Sequence, residues 1–471
     1  MSSYWAPYGW LDGDVVSDVR LVAASGRWVG LERGVPPADG DLRLPGLVLP
    51  GFANTHSHAF HRALRGRTHD GGGTFWTWRD GMYALAGRLE PESYYPLARA
   101  VYAEMALAGV SAVGEFHYLH HGVGGRGYPD PNAFGQVLIR AAAEAGIRLT
   151  LLDACYLRGG LDGSGYLPLA PVQRRFSDGS AAGWYDRVSL LNGWSDRFGS
   201  ATALPDRAGL LDRAGLPDRA GLLGGSATVR IGAAIHSIRA VPPEQLAEVI
   251  ELSAGRPLHV HVSEQPGENE ACSANYGCTP TELLARHGFG GPLHTAVHAT
   301  HLSRADIVWY GSSGTNVSFC PTTERDLADG IGPASALAAA GARLSLGTDQ
   351  NAVVDLLEEC RALELNDRLA SLRRGRFSLA ELVMCLTGAG QASLGWDDAG
   401  QLALGQRADL VALRLDTVRT AGALPRQAIM AAGAADIDTV IVDGRLVVSG
   451  GQHLLGDVAT LLAEAIEPLW S

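Results

Sequence analysis

The chain has 471 residues, a formal charge of −12 and 46% hydrophobic residues, enough for one large barrel plus an accessory layer and too acidic to grip nucleic acid through basic patches. It carries no run of 18 apolar residues that would span a membrane, no basic-then-apolar start, and six scattered cysteines with no Cys-x-x-Cys pair, which suit reduced thiols in a cytoplasmic protein. It also lacks lysine, so all 38 basic residues are arginine; a Schiff-base lysine, a phosphate-loop lysine and a carbamylated lysine bridging two metals are excluded.

In chain order, residues about 10–45 alternate apolar and polar side chains, as in Asp18-Val-Arg-Leu-Val-Ala and Arg27-Trp-Val-Gly-Leu-Glu, the period of half-buried strands. Eight short apolar runs follow: Gly46–His56, Val110–His117, Arg148–Asp153, Val229–His236, Pro257–Glu264, Thr295–Thr300, Thr315–Pro321 and Arg343–Asp349. Helical patterns near Glu92–Leu107, Pro243–Ser253 and Thr279–Gly288 lie between them. Eight strands alternating with helices predict an α/β fold, a (β/α)8 TIM-like barrel over 46–400, whose chemistry sits at the C-terminal ends of the strands. Residues about 405–452 alternate again, with a hairpin Val440–Val448 turning at Asp443-Gly444. The two ends, 1–45 and 401–471, are therefore expected to form one small β-sandwich domain with a terminal helix. Residues about 157–227 are Gly- and Ser-rich and hold three copies of a Leu-x-Asp-Arg-Ala-Gly unit at 204–221. A period of six fits neither helix nor solenoid, so this stretch is expected to be a flexible surface insertion.

The predicted strands end repeatedly in chemistry-bearing residues: His56, His58, Glu115, His117, His236, His261, Glu264, His298 and Asp349. In Pro50-Gly-Phe-Ala-Asn-Thr-His56-Ser-His58 two imidazoles two residues apart can reach one metal once the chain turns off its strand. With His261 and Asp349 they make a three-histidine, one-carboxylate set for one divalent metal, with zinc the first expectation and a position left for water whose pKa falls to about 7. Glu264, three residues beyond His261, is placed as a proton shuttle. His298 is read as a hydrogen-bonding partner of the reacting water, with a place among the ligands as the alternative. His301 is read as a supporting or structural residue.

These motifs, with Val-His298-Ala-Thr-His, Gly-Thr-Asp349 and the tail Gly405-Gln-Arg-Ala-Asp-Leu-Val, resemble the amidohydrolase superfamily, in its mononuclear deaminase branch. His58-Ala-Phe-His-Arg-Ala, Phe75-Trp-Thr-Trp-Arg79, Glu115-Phe-His-Tyr118, His236-Ser-Ile-Arg239 and Thr323-Glu-Arg-Asp-Leu-Ala-Asp-Gly-Ile-Gly-Pro resemble the formimidoylglutamate deiminase family within it. The resemblance implies hydrolytic deimination of N-formimidoyl-L-glutamate in histidine degradation, a homodimer, and a substrate held by Arg79, Tyr118, His236 and Arg239. Two arginine forks suit a small molecule with two carboxylates. His61 stands where that family commonly has glutamine, as a further substrate contact, and Gln350-Asn351 follow Asp349 where Ser-His is usual. A deaminase acting on a nucleobase or aminated heterocycle is the first alternative, and a catalytically silent metal-binding scaffold the second.

Overall fold

A computed structural model describes residues 1–69, 72–191 and 228–471. The alternating N-terminal segment forms β1 (Ser2–Leu11), β2 (Asp14–Ala24), β3 (Arg27–Arg33), β4 (Leu42–Arg43) and β5 (Leu47–Pro50). The barrel follows with β6 (Phe52–Ser57), β7 (Val110–His117), β8 (Arg148–Cys155), β11 (Val229–Ser237), β12 (Leu258–Val262), β13 (His294–His298), β14 (Asn316–Phe319) and β15 (Arg343–Leu346). A two-stranded hairpin of β9 (Gly160–Asp162) and β10 (Gly165–Leu167) lies between β8 and β11. Neighbouring barrel strands pair in parallel, in chain order from β6 to β15. Most of these strands are buried along their whole length, as expected where helices cover a parallel sheet. The ring closes between the ends of β6 and β15: Thr348 and Asp349 donate their amides to the His56 carbonyl at 3.0 and 2.9 Å, and His58 donates to the Asp349 carbonyl at 2.9 Å. Closure thus happens at the residues expected to hold the metal.

Chain ends meet in a second, nine-stranded sheet, where β5 pairs with both β1 and β16 (Leu410–Leu413), and β17 (Ile437–Val442), β18 (Arg445–Ser449) and β19 (Gln452–His453) continue outward. Tyr4, Val19, Leu21, Trp28, Leu410 and Ile441 share a core of their own there, separate from the barrel core. The expected turn forms, with Asp443 at φ 49° and Gly444 at φ 73°, both positive as a two-residue type I′ hairpin requires.

Three details differ from the sequence reading. Gly46–His56 is not one barrel strand: it breaks at Gly51, so that Leu47–Pro50 belong to the terminal sheet. A Cβ at Gly51 would lie 2.5 Å from Ser111 Oγ and 2.8 Å from Asp409 Cβ, so the crossing between the two sheets needs glycine. The C-terminal helix (Val458–Ile466) returns to the barrel instead of the β domain, packing on α2 (Pro91–Leu107) and followed by Trp470, whose indole donates to the Ala63 carbonyl at 3.0 Å. Finally, residues 157–191 are not a flexible insertion. They form the β9–β10 hairpin and α4 (Ala181–Ser189), whose Trp184 is fully buried and whose Arg187 spans Asp153 and Asp178 at 2.7 and 2.9 Å. The repeat at 204–221 lies outside the described residues. None of the described helices is long and apolar enough to cross a membrane.

Candidate active site

Ligand atoms of His56, His58, His261 and Asp349 all lie within 4.8 Å of one another, and all four residues are buried. His58 donates its Nδ1–H to the Phe116 carbonyl and His261 to the His236 carbonyl, both at 2.8 Å. A carbonyl only accepts, so in each ring the proton sits on Nδ1 and the bare Nε2 faces inward. His261 Nε2 stands 3.0 Å from His56 Nε2, and Asp349 Oδ1 stands 3.3 and 3.4 Å from the Nε2 atoms of His56 and His58. Four atoms able to donate electron pairs converge there, while His56 Nδ1 has no hydrogen-bond partner among the described residues. The four residues fit one divalent ion with three nitrogens and one oxygen. Burial lowers the His56 and His261 imidazoles well below their usual range and brings His58 down to about 3, so all three are neutral donors. Burial also raises Asp349 to about 7, against the pull of His298; a cation among the donors would keep it ionised.

The backbone carries strain at this rim. Ser263, His298, Ala299 and Asp349 all have positive φ, between 42° and 68°, a conformation costing a non-glycine residue on the order of 1 kcal/mol. Asn351 holds the closing strand end: its amide donates to the His58 carbonyl at 3.1 Å, to Ser57 Oγ at 3.2 Å and to the Asp349 carbonyl at 3.2 Å. Its Oδ1 accepts from Thr348 Oγ1 at 2.6 Å. The departure at Gln350-Asn351 therefore supplies a clamp of its own. Glu115, expected only as a polar strand end, accepts the Ala59 amide at 2.7 Å and so fixes the turn leaving His58; burial pushes its carboxyl up to about 8.

His298 faces three carboxylates: Nε2 lies 3.6 Å from Glu264 Oε1 and 3.9 Å from Asp349 Oδ2, and Nδ1 lies 3.4 Å from Glu324 Oε1. Burial disfavours the imidazolium, but Glu264, Glu324 and Asp349 outweigh it and push His298 up to about 10. Glu324 also accepts the Cys320 amide at 2.9 Å, so it is a fixed support for the ring. It sits in the Thr323-Glu-Arg motif, but nothing in that spacing marked it as His298's partner. His301 donates to the Asp329 carbonyl at 2.7 Å and is structural.

A cavity of about 550 Å³ opens on the donor group and is lined by His58, His61, Arg79, Tyr118, His236, Arg239, His261, Glu264 and Asp349, so every expected substrate contact faces the same space. The β9–β10 hairpin forms part of its wall, held by Tyr166, which donates to the Ile238 carbonyl at 2.8 Å. Arg79, on α1 (Phe75–Ala86), lies over Trp76 and Tyr83 with its guanidinium carbon 4.5 and 5.4 Å from the ring centroids. Its buried Nε has no hydrogen-bond partner among the described residues. Tyr118 Oη and His61 Nε2 meet at 2.8 Å, and burial keeps His61 neutral. His236 stacks edge-on against Tyr156 at 4.5 Å while its carbonyl orients His261. Arg239 differs from Arg79 in being engaged already: Nη2 donates to Glu264 Oε2 at 2.8 Å and Nε lies 3.6 Å from Glu268.

A second cluster, His117, His120 and Asp153, also has metal-like spacing. Both Asp153 oxygens are taken by Arg187, at 2.7 and 2.9 Å, and one by Trp184 at 3.0 Å. A cation there would meet the guanidinium, so the cluster is an internal brace of α4 against β8.

The comparisons with known proteins agree with this geometry. The model of the amidohydrolase family matches residues 47–447. The chain is 37% identical over 434 residues to the formimidoylglutamate deiminase of Pseudomonas aeruginosa, covering 88% of each. It is 30% identical over 463 residues to the 8-oxoguanine deaminase of the same organism, covering 96% of this chain and 92% of that one. Among solved structures, an amidohydrolase from Brucella melitensis superposes with a TM-score of 0.87 at 29% identity, covering 100% of both chains. The barrel closed by His56 and Asp349, the four-donor group at that seam and the match along 401 residues of sequence (47–447) have one reading: the chain belongs to the amidohydrolase family.

Proposed function

We propose that this protein hydrolyses N-formimidoyl-L-glutamate to N-formyl-L-glutamate and ammonia, as one step of histidine degradation. Arg79 carries the reading: a cation shelved on two aromatic rings, in the same cavity as the four-donor group, with no carboxylate partner among the described residues. A site for a nucleobase has no use for such a group, whereas a glutamate moiety brings two carboxylates. The likeness to the formimidoylglutamate deiminase of P. aeruginosa supports the same substrate.

A divalent ion, zinc by the imidazole-rich donor set, held by His56, His58, His261 and Asp349 supplies Lewis acidity and brings the pKa of bound water to about 7. The remaining work falls to the chain. Arg79 and Arg239 bind the carboxylates and Tyr118, His61 and His236 shape the cavity between them, so the formimidoyl carbon is presented to the donor group at a fixed distance. Glu264 takes a proton from the attacking water and gives it to the imino nitrogen as the new C–O bond forms. It then carries the hydroxyl proton of the resulting adduct to the same nitrogen, the carbonyl forms, the C–N bond to that nitrogen breaks, and ammonia leaves. His298, held charged by its three carboxylate neighbours, donates toward the developing oxyanion.

Ammonia release from N-formimidoyl-L-glutamate, 8-oxoguanine, guanine and cytosine tests the proposal. Turnover of the first is expected; turnover of a purine or pyrimidine instead overturns it. Six free, buried cysteines suit a reducing cytosol, and the resemblance brings with it a homodimer; a sedimentation mass of twice 49.6 kDa checks the latter.

A further inference from the structure

Glu264 is the group assigned the proton shuttle, yet one of its two oxygens is occupied. Arg239 Nη2 donates to Oε2 at 2.8 Å, while Oε1 faces His298 at 3.6 Å. The same guanidinium reaches back to a second acid: its Nε lies 3.6 Å from Glu268 Oε2 and 3.4 Å from Ser237 Oγ. Glu268, from the helix Pro266–Tyr276, has a fully buried side chain, lines the cavity, and has one oxygen, Oε1, with no hydrogen-bond partner among the described residues. Burial raises the Glu268 carboxyl and the Arg239 guanidinium pulls it back down, so the buried acid and the cation compensate one another. Glu268 and Glu264 together hold Arg239 charged against the cost of burial. Arg239 thus has one acid behind it and one in front, and the front one is the proton shuttle.

We propose that Arg239 is a substrate-operated latch on Glu264, anchored by Glu268: a substrate carboxylate draws the guanidinium's Nη2 away from Glu264 Oε2 and leaves Glu264 free to accept the water proton. The inference rests on the dicarboxylate reading of the substrate given above. Its physical content is an exchange of one charge-assisted hydrogen bond for another, with Glu268 keeping the guanidinium compensated throughout. Selectivity for a carboxylate-bearing amidine then acts on the chemical step as well as on binding, because a ligand without that carboxylate leaves the shuttle latched.

Two measurements on the zinc-loaded enzyme decide it. The first compares kcat and KM for N-formimidoyl-L-glutamate and for N-propylformamidine, which has the reacting group and no carboxylate. Arg239→Met, and Arg239→Met/Glu268→Gln, which removes the acid left unpaired, are assayed beside the wild type. The glutamate substrate should lose about a hundredfold in kcat/KM. The carboxylate-free amidine should gain about tenfold in kcat, a fraction of the roughly 10²–10⁴-fold that a positioned base contributes. A residue that only binds substrate leaves the amidine's rate unchanged, and one that only orients Glu264 lowers it; either result overturns the latch. The second measurement needs no variant: in a crystal with N-formyl-L-glutamate, Arg239 should sit on a ligand carboxylate with Glu264 Oε2 released, and persistence of the 2.8 Å contact overturns the proposal. Failure of the wild type to release ammonia from N-formimidoyl-L-glutamate overturns the substrate reading and the latch together, whereas normal turnover without a rise in the amidine rate overturns the latch alone.

Discussion

At the scale of single residues, the site divides into groups that hold the metal and groups that hold those groups. Arg79 belongs to neither: it lies over Trp76 and Tyr83 and faces the cavity. Its replacement by Met leaves Trp76 and Tyr83 in place and removes one charge, so kcat/KM for the dicarboxylate substrate should fall by about 30–1,000-fold, with metal content unchanged. Equal kcat/KM in wild type and variant would show that no carboxylate docks there. Glu324 acts one step further out, by fixing Nδ1 of His298. In Glu324→Gln the Cys320 amide keeps an acceptor while the charge beside the ring is lost, so kcat should drop by about 10–100-fold with KM and zinc stoichiometry held. A rise in KM alone would place His298 in binding instead of chemistry. His56, His58, His261 and Asp349 could be read from sequence because each ends an apolar strand, and barrel chemistry collects at strand ends. Glu324 and Glu268 could not, because each lies in the first turn of a helix and acts through a side-chain contact that spacing does not encode.

At the scale of elements, the barrel was legible and its attachments were not. Val110–His117 is buried from end to end and Val229–Ser237 along all but Arg230 and His236, and both appear in sequence as mainly apolar runs. The β9–β10 hairpin and α4 are Gly- and Ser-rich, and what secures them is long-range: Arg187 to Asp153, Tyr166 to the Ile238 carbonyl. Composition alone made that region look like surface. The join between the two sheets rests on a similar contact, at the N-terminal face of the barrel. Arg148, fully buried at the start of β8, donates to both Asp409 oxygens at 2.9 and 2.5 Å and to Asp443 at 3.3 Å. Arg148→Met should cost about 3–5 kcal/mol by leaving Asp409 uncompensated, while Asp443 keeps the Arg407 guanidinium at 2.9 Å, and Arg148→Met/Asp409→Asn should recover part of that loss. Chemical denaturation checks both, and activity per folded molecule should stay near that of the wild type because this face carries stability, not chemistry. A variant as stable as the wild type would mean that the terminal sheet is held by its apolar core alone.

At the scale of the whole molecule, acid should work through histidines far from the metal. His259 and His453 are buried in the barrel core and on the terminal sheet's last strand, donating to the carbonyls of Ser393 at 3.3 Å and Ala145 at 3.0 Å, and burial lowers each to about 4. His120, beside the Arg187 brace, is also lowered to about 4, by burial and then by that guanidinium. In the unfolded chain each returns to about 6.5. Between pH 6.5 and 4 the unfolded state therefore binds protons that the native state refuses, so this contribution to stability is complete above about pH 6.5 and is lost as pH falls toward 4, at up to about 1.4 kcal/mol per pH unit for each ring. Buried carboxyls raised above their usual range, such as Glu359, act with the opposite sign, because their folded-state proton is lost as pH rises. The total curve is thus a sum of opposing slopes, and a difference measurement isolates one ring. His453 lies far from the donor group in sequence and on the outer strand of the terminal sheet, so His453→Gln should fold and bind metal as the wild type does. Its stability relative to the wild type should be constant from pH 8 to about 6.5 and then improve by up to about 1.4 kcal/mol per unit down to pH 4. A difference that stays flat across that window would mean that His453 titrates normally in the native protein and that its burial carries no acid sensitivity.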